Sequence, residues 1–205
     1  MLISLDFLVQ KYNILFTGIL HVGAHECEEI VFYDKYLPRN KVLWVDALQD
    51  KVDFCRATYP DVIIEQAVVS DCVEAVVFNR SNNGQSSSFL DFGIHEIHYP
   101  DVQYVHSFET NTKMLKDIIC NYDISFNFLN FDIQGVELKA LKGMGDYLKT
   151  VDYIYTEVNT DYVYKDCALI YEIDDYLKSF GFQRVETAVY ERMKWGDAFY
   201  MKIKG

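Results

Sequence analysis

No apolar run in the chain approaches the ~20 residues that a bilayer span needs. The longest, such as "DVIIEQAVV", are broken by charge, so a membrane-spanning helix is excluded and a soluble protein is expected. The opening "MLISLDFLVQKYN" lacks a basic n-region and a small-residue cleavage site, which argues against a secretory signal and for a cytoplasmic protein. Basic residues are scarce as well: 19 Lys and Arg stand against 31 Asp and Glu, the net charge is -12, and no basic run gathers the positive charge. Such a chain repels a phosphate backbone, so nucleic acid is not an expected partner. The five cysteines, Cys27, Cys55, Cys72, Cys120 and Cys167, are odd in number and form no C-x-x-C pair. That excludes a disulfide framework and a zinc knuckle, and leaves reduced thiols, mostly in the core.

Apolar residues are plentiful. They make up half of the 205 residues, enough to bury a core, and the length favours one domain over residues 1–205. Aromatic residues reach 16 %, with sixteen tyrosines, which either line a sugar site or simply fill half-buried strands.

Apolar runs of strand length alternate with segments of helical period, the pattern of parallel strands joined by crossover helices. "ILFTGILHVG", "KVLWVDA" and "DVIIEQAVV" read as three buried strands, with helices expected at "ECEEIVFYDKYL" and "QDKVDFCRATY". "EAVVFNR" is a candidate extra strand. The aperiodic stretch "SNNGQSSSFLDFGIHEIHYPD" is too long for an idle connection and reads as a lid or binding loop. Regular order resumes with a helix at "MLKDIICNYD", the strand "FNFLNFDI", a helix from about Val136, the strand "VDYIYTEVN" and the helix "ALIYEIDDYLKSFGF", with Gly181 as its C-cap. "FQRVETAVY" and "DAFYMKIK" have no crossover helix between them and should form an antiparallel hairpin. The expected fold class is therefore α/β, a sheet with helices on both faces and a C-terminal antiparallel β-hairpin.

Ligands of open α/β sheets bind at the carboxyl ends of the strands. After the first strand, "HVGAHECEE" holds one glycine, Gly23, where the dinucleotide fingerprint has three. Gly23 lets a ligand approach closely, and a helix start there would offer free N–H groups. Glu26, Glu28 and Glu29 crowd the same turn, either to complement the helix dipole or to meet a cationic ligand. Asp46 ends the second strand about 20 residues on, where an acid binds both ribose hydroxyls. A ribose, an adenine and a cationic tail without a pyrophosphate describe S-adenosylmethionine.

Asp132, Glu157 and Asn159 lie at the ends of the fourth and fifth strands. A carboxylate there can take the proton of an acceptor hydroxyl during in-line methyl transfer, and Asp132 is the first candidate, with Glu157 next. Alternatively Asp132, Glu157 and Asn159 hold Mg²⁺ or Mn²⁺, a pattern that resembles catechol-type O-methyltransferases. Glu137 reads as the cap of its own helix. His95 and His98 in "HEIH" are spaced three apart in irregular sequence, which argues against zinc. With Tyr99 and His106 they are candidate acceptor contacts.

The strings "HVGAHECEE", "LNFDIQGVELKALKG", "YIYTEVN" and "WGDAFY" resemble, in order and spacing, the FkbM-type S-adenosylmethionine-dependent methyltransferases over nearly the whole chain. The resemblance implies a Rossmann-like seven-stranded class I methyltransferase sheet. It implies transfer of methyl groups to hydroxyls, often of sugars, so that a deoxysugar such as rhamnose or fucose in a glycan or glycolipid is the expected acceptor. It places Gly23, Ala24, His25 and Glu28 at the methionine end, Asp46 and Ala47 at the ribose, Ala67 and Val68 beside adenine, and Asp132 near the cofactor. Gln85, Ser86 and Ser87 match the serine-containing stretch that follows the third strand in the family. Here His21 stands in place of the family's usual acid, and Cys27 in place of its second glycine. Methylation often accompanies sugar assembly, so the chain is also a candidate module of a larger glycosyltransferase. An NAD-type enzyme and a non-catalytic nucleotide-binding domain are the alternatives.

Overall fold

Alternation along the strands decides which layer each residue serves, because successive side chains point to opposite faces of a sheet. In the computed structural model, which describes residues 1–203, β1 (Ile19–Val22) sends Leu20 and Val22 into one apolar layer and Ile19 into the other. β2 (Val42–Asp46) divides likewise, Leu43 and Val45 against Val42 and Trp44. Both strands are buried throughout, as expected of parallel strands covered on two sides. The other strands are β3 (Ile63–Gln66), β4 (Ala75–Ser81), β5 (Tyr104–Asn111), β6 (Phe128–Phe131), β7 (Tyr153–Asn159), β8 (Phe182–Tyr190) and β9 (Trp195–Lys202).

Seven strands form one sheet in the order β3-β2-β1-β6-β7-β9-β8, with β9 antiparallel to both of its neighbours. The expected sheet and its terminal hairpin are therefore present. Lys204, the end of the last expected run, lies outside the described residues. Strand order reverses between β1 and β6, which opens a crevice beyond the carboxyl ends of the parallel strands.

α1 (Leu5–Tyr12), α2 (Ile30–Tyr33) and α3 (Gln49–Thr58) pack on one face through Leu8, Ile30, Tyr33, Val52 and Cys55. α4 (His95–His98) belongs to the long connection, and α5 (Leu115–Ile119), α6 (Glu137–Met144) and α7 (Ile170–Lys178) cover the opposite face through Leu115, Leu141, Ile173 and Leu177. Gly181, at φ +85°, closes α7 with its N–H on the carbonyl of Lys178.

Two segments depart from the sequence reading. The helix expected over "ECEEIVFYDKYL" shrinks to α2, because His25 and Cys27 take left-handed conformations, φ 42° and 59°, that no helix accommodates. The bend buries Cys27 against Cys55. The second departure is the partner of the extra strand: β4 pairs with β5 as a separate antiparallel ribbon, Phe78 opposite Phe108. The long connection runs between these two strands and is pinned over the main sheet, with the N–H groups of Gly93 and His95 on the carbonyl of Val163. Gly93 allows this approach, since a Cβ there would stand 2.1 Å from the Tyr162 carbonyl oxygen. The presumed loop is thus a fixed roof.

Candidate active site

Under that roof the crevice is a cavity of about 480 Å³, of the size that small-molecule sites have. The ends of β1, β2 and β3 wall one half, and those of β6, β7 and β9 the other.

In the first half, Gly23 sits at φ +94°, and a Cβ on it would meet the carbonyl oxygen of Asp132 at 1.9 Å. Its N–H and that of Ala24 are both taken by the Val45 carbonyl. The N–H of His25 goes to Asp46, that of Glu26 to the Glu28 carboxylate, and that of Cys27 to the Ala24 carbonyl. Every backbone donor from Gly23 to Cys27 is therefore committed within the chain. With these five donors spent, the turn offers a pyrophosphate no cradle of the kind that Gly-rich loops provide.

Asp46 is held by two backbone donors, His25 N–H to Oδ2 at 2.7 Å and Leu48 N–H to Oδ1 at 2.8 Å. Burial pushes its pKa up, against the pull of those N–H groups. Each oxygen keeps a lone pair for a further donor, which suits two neighbouring hydroxyls. Ala47, Leu48, Ala67, Val68 and Phe78 form an apolar slot beside it. Across the turn, Glu28 accepts from His25 Nδ1 at 2.6 Å. Burial alone would raise the Glu28 pKa, but the His25 ring and nearby N–H groups bring it down to about 2, so it is a carboxylate at neutral pH. Nε2 of His25 is buried without a partner among the described residues.

The second half centres on a carboxyl pair. Gln134 Nε2 donates to Asp132 Oδ1 at 2.7 Å and to Glu157 Oε2 at 3.0 Å, while Gln134 Oε1 accepts from Tyr164 Oη at 2.6 Å. Asp132 is open to the cavity, whereas Glu157 is 5 % exposed. Burial, then the charges of Asp132 and Glu137, drive the Glu157 pKa well above the usual carboxylate range. Asp132 is the acid of the pair that faces the cavity. Asp197 lies opposite Glu157 in the β7–β9 register and binds the Tyr155 hydroxyl and the Leu2 N–H.

Gly23, His25, Glu28, Asp46, Ala47, Ala67, Val68, Gln85, Ser86, Ser87, His95, Asp132 and Glu157 all border this one cavity. Four anticipated residues do not. Ala24 is fully buried in the core beneath the turn. Asn159 is fully buried where β7 meets Leu169, with neither amide atom bonded among the described residues. His98 lies off the wall on α4, and His106 points outward from β5. Sequence reasoning missed the functional placement of Gln134, Tyr155, Tyr164, Trp195 and Asp197, although "WGDAFY" carried the last two within a motif.

His21 is buried under the cavity floor, stacked on Trp44 with centroids 4.5 Å apart, and its Nδ1 is 3.0 Å from Tyr33 Oη. Burial lowers its pKa to about 4, so the ring is neutral at physiological pH. Glu137, expected to cap its own helix, instead binds the turn that precedes it: Oε1 accepts from Ile133 and Gly135 N–H at 3.0 and 3.2 Å. Burial raises its pKa to about 7. A raised pKa in the folded state means stability that is complete below the unfolded value and lost as pH climbs through 7. Glu137→Gln keeps the accepting oxygen and removes that loss, so its melting temperature should exceed wild type at pH 8.5 and match it at pH 4.5. Equal melting temperatures at both pH values would contradict the buried ionisation.

The sheet order, the strand-end acid at β2 and the tight β1 turn together define a class I, Rossmann-like methyltransferase. Among solved structures, the chain is similar to magnesium protoporphyrin IX methyltransferase from Synechocystis PCC 6803 with bound SAM, with TM-score 0.54 and 8 % identity over 97 % of this chain and 76 % of that one. It is also similar to ribosomal protein L11 methylase from Lactobacillus delbrueckii subsp. bulgaricus, with 0.55 and 10 % over 97 % and 76 %, and to an S-adenosylmethionine-dependent methyltransferase from Clostridium acetobutylicum ATCC 824, with 0.51 and 10 % over 96 % and 89 %. At these identities the likeness establishes the fold. No protein of curated function matches the sequence significantly. The Methyltransferase FkbM domain matches residues 21–184, and the chain belongs to that family of S-adenosylmethionine-dependent methyltransferases. Among the described residues no helix is long and apolar enough to cross a membrane.

Proposed function

We propose that the protein is an O-methyltransferase acting on a sugar hydroxyl, in the first instance that of a deoxysugar such as rhamnose or fucose in a glycan or glycolipid. The observation that carries this reading is the Asp132–Glu157 pair, one acid open to the cavity and one buried, bridged by Gln134 beside Gly23.

S-adenosylmethionine supplies an electrophilic methyl group on a sulfonium. Asp46 is suited to its ribose hydroxyls, the slot of Ala67, Val68 and Phe78 to its adenine, and Glu28 to its ammonium. Asp132, exposed to the cavity and held through Oδ1 by Gln134, is suited to accept the proton of an acceptor hydroxyl. The buried Glu157 holds Gln134 in place.

A divalent cation does not fit this arrangement. Gln134 presents its amide N–H₂, a donor, between the two carboxyls, and Asn159 stands outside the cavity. Transfer of labelled methyl from S-adenosylmethionine to methyl glycosides of rhamnose and fucose should proceed equally in EDTA and in Mg²⁺. Loss of activity in EDTA, restored by the metal, would show that the pair binds a cation after all. The dinucleotide alternative is disfavoured by the committed N–H groups of the β1 turn.

A further inference from the structure

Six carboxyl groups line the cavity, those of Glu28, Glu29, Asp46, Asp132, Glu157 and Asp197, and among the described residues no lysine or arginine does. Cations close to the wall are already engaged. Lys51, beside Gly84, pairs with Glu26 at 2.6 Å, Lys139 lies over the Phe89 ring, and the amino group of Met1 is 3.9 Å from Glu29.

On the side of β6, β7 and β9, uncharged donors stand where an anion would require cations. Trp195 Nε1 donates to Tyr99 Oη at 2.9 Å, which holds both rings at the wall. His95 is 5 % exposed and borders the same space, with Nδ1 unpartnered among the described residues. Burial, with His98 nearby, keeps its pKa down to about 4, so it adds no positive charge at neutral pH. A phosphate here would face Asp132 and Asp197 as like charges and, among the described residues, find no lining guanidinium or lysine ammonium to pair with, the Met1 amino group being set beside Glu29. A pyranose, by contrast, presents hydroxyls to hydroxyl, amide and imidazole groups, and C–H faces to Tyr99 and Trp195.

We propose that the acceptor enters as an uncharged glycoside, its sugar already released from any phosphate or nucleoside diphosphate carrier, so that a glycosyl transfer must precede methylation. This rests on the sugar-hydroxyl reading above. The test uses one deoxysugar in three forms, rhamnose first and fucose in parallel: the methyl glycoside, the sugar 1-phosphate and the nucleoside diphosphate sugar, each with labelled S-adenosylmethionine. The 1-phosphate adds far less bulk than the nucleoside diphosphate, so equal discrimination against both charged forms points to charge and graded discrimination to bulk. The methyl glycoside should exceed both charged forms in kcat/KM by about 100-fold or more, as several kcal/mol of like-charge juxtaposition require. Equal or better transfer to either charged form overturns the inference and leaves sugar O-methylation standing. Transfer to none of the three removes the sugar reading and this inference together.

Discussion

Asp132→Asn should lower kcat by about 10²- to 10⁴-fold, the range that a positioned general base contributes, while S-adenosylmethionine still binds. The asparagine retains an oxygen for Gln134 Nε2, and the backbone carbonyl that abuts Gly23 is untouched, so the cavity keeps its shape. What it loses is the site for the proton. Glu157→Gln is the informative companion: Glu157 is buried behind Gln134 and burial raises its pKa, so its amide should cost far less turnover. Steady-state kinetics on both variants, with calorimetry for cofactor affinity, decide the matter. An active Asp132→Asn beside an inactive Glu157→Gln would reverse the assignment of the base.

Asp46→Ala should weaken S-adenosylmethionine binding by about 100-fold or more. Hydrogen bonds to a charged group contribute about 1.5–3 kcal/mol each, and a factor of ten in affinity corresponds to 1.4 kcal/mol. Two ribose hydroxyls would lose their acceptor at once. The substitution also strands the N–H groups of His25 and Leu48, which Asp46 now accepts, so the β1 turn should loosen and the melting temperature fall. Asp46→Asn, which preserves one accepting oxygen, should stand between the two. Calorimetric affinity for S-adenosylmethionine unchanged in Asp46→Ala would remove Asp46 from the cofactor site.

Much of this was legible in the sequence because strand ends are. Gly23, Asp46, Asp132 and Glu157 each close a short apolar run, and parallel strands bring such ends to one edge. The absent glycines of "HVGAHECEE" proved meaningful: Cys27 takes the left-handed conformation usually reserved for glycine, and the turn spends its N–H groups internally. That same conformation is why the helix expected from residue 26 does not begin there. β5 escaped notice because it is largely exposed and polar, with Phe108 packed on Phe78 as its main apolar anchor. Gln134, Tyr164 and Trp195 escaped for a different reason. Their importance lies in contacts between segments distant in sequence, such as Trp195 to Tyr99 and Tyr164 to Gln134, and no local spacing encodes these. Asn159 shows the converse error, a polar residue at a strand end that the returning chain buries away from the site.

The most direct test of the account is to identify the atom that receives the methyl group. The protein, incubated with ¹³C-methyl S-adenosylmethionine and the methyl glycosides of rhamnose and fucose, should yield a product whose labelled carbon resonates as a methyl ether, with one S-adenosylhomocysteine released per ether formed. Label appearing on nitrogen or carbon of another acceptor, with the glycosides unchanged, would contradict it.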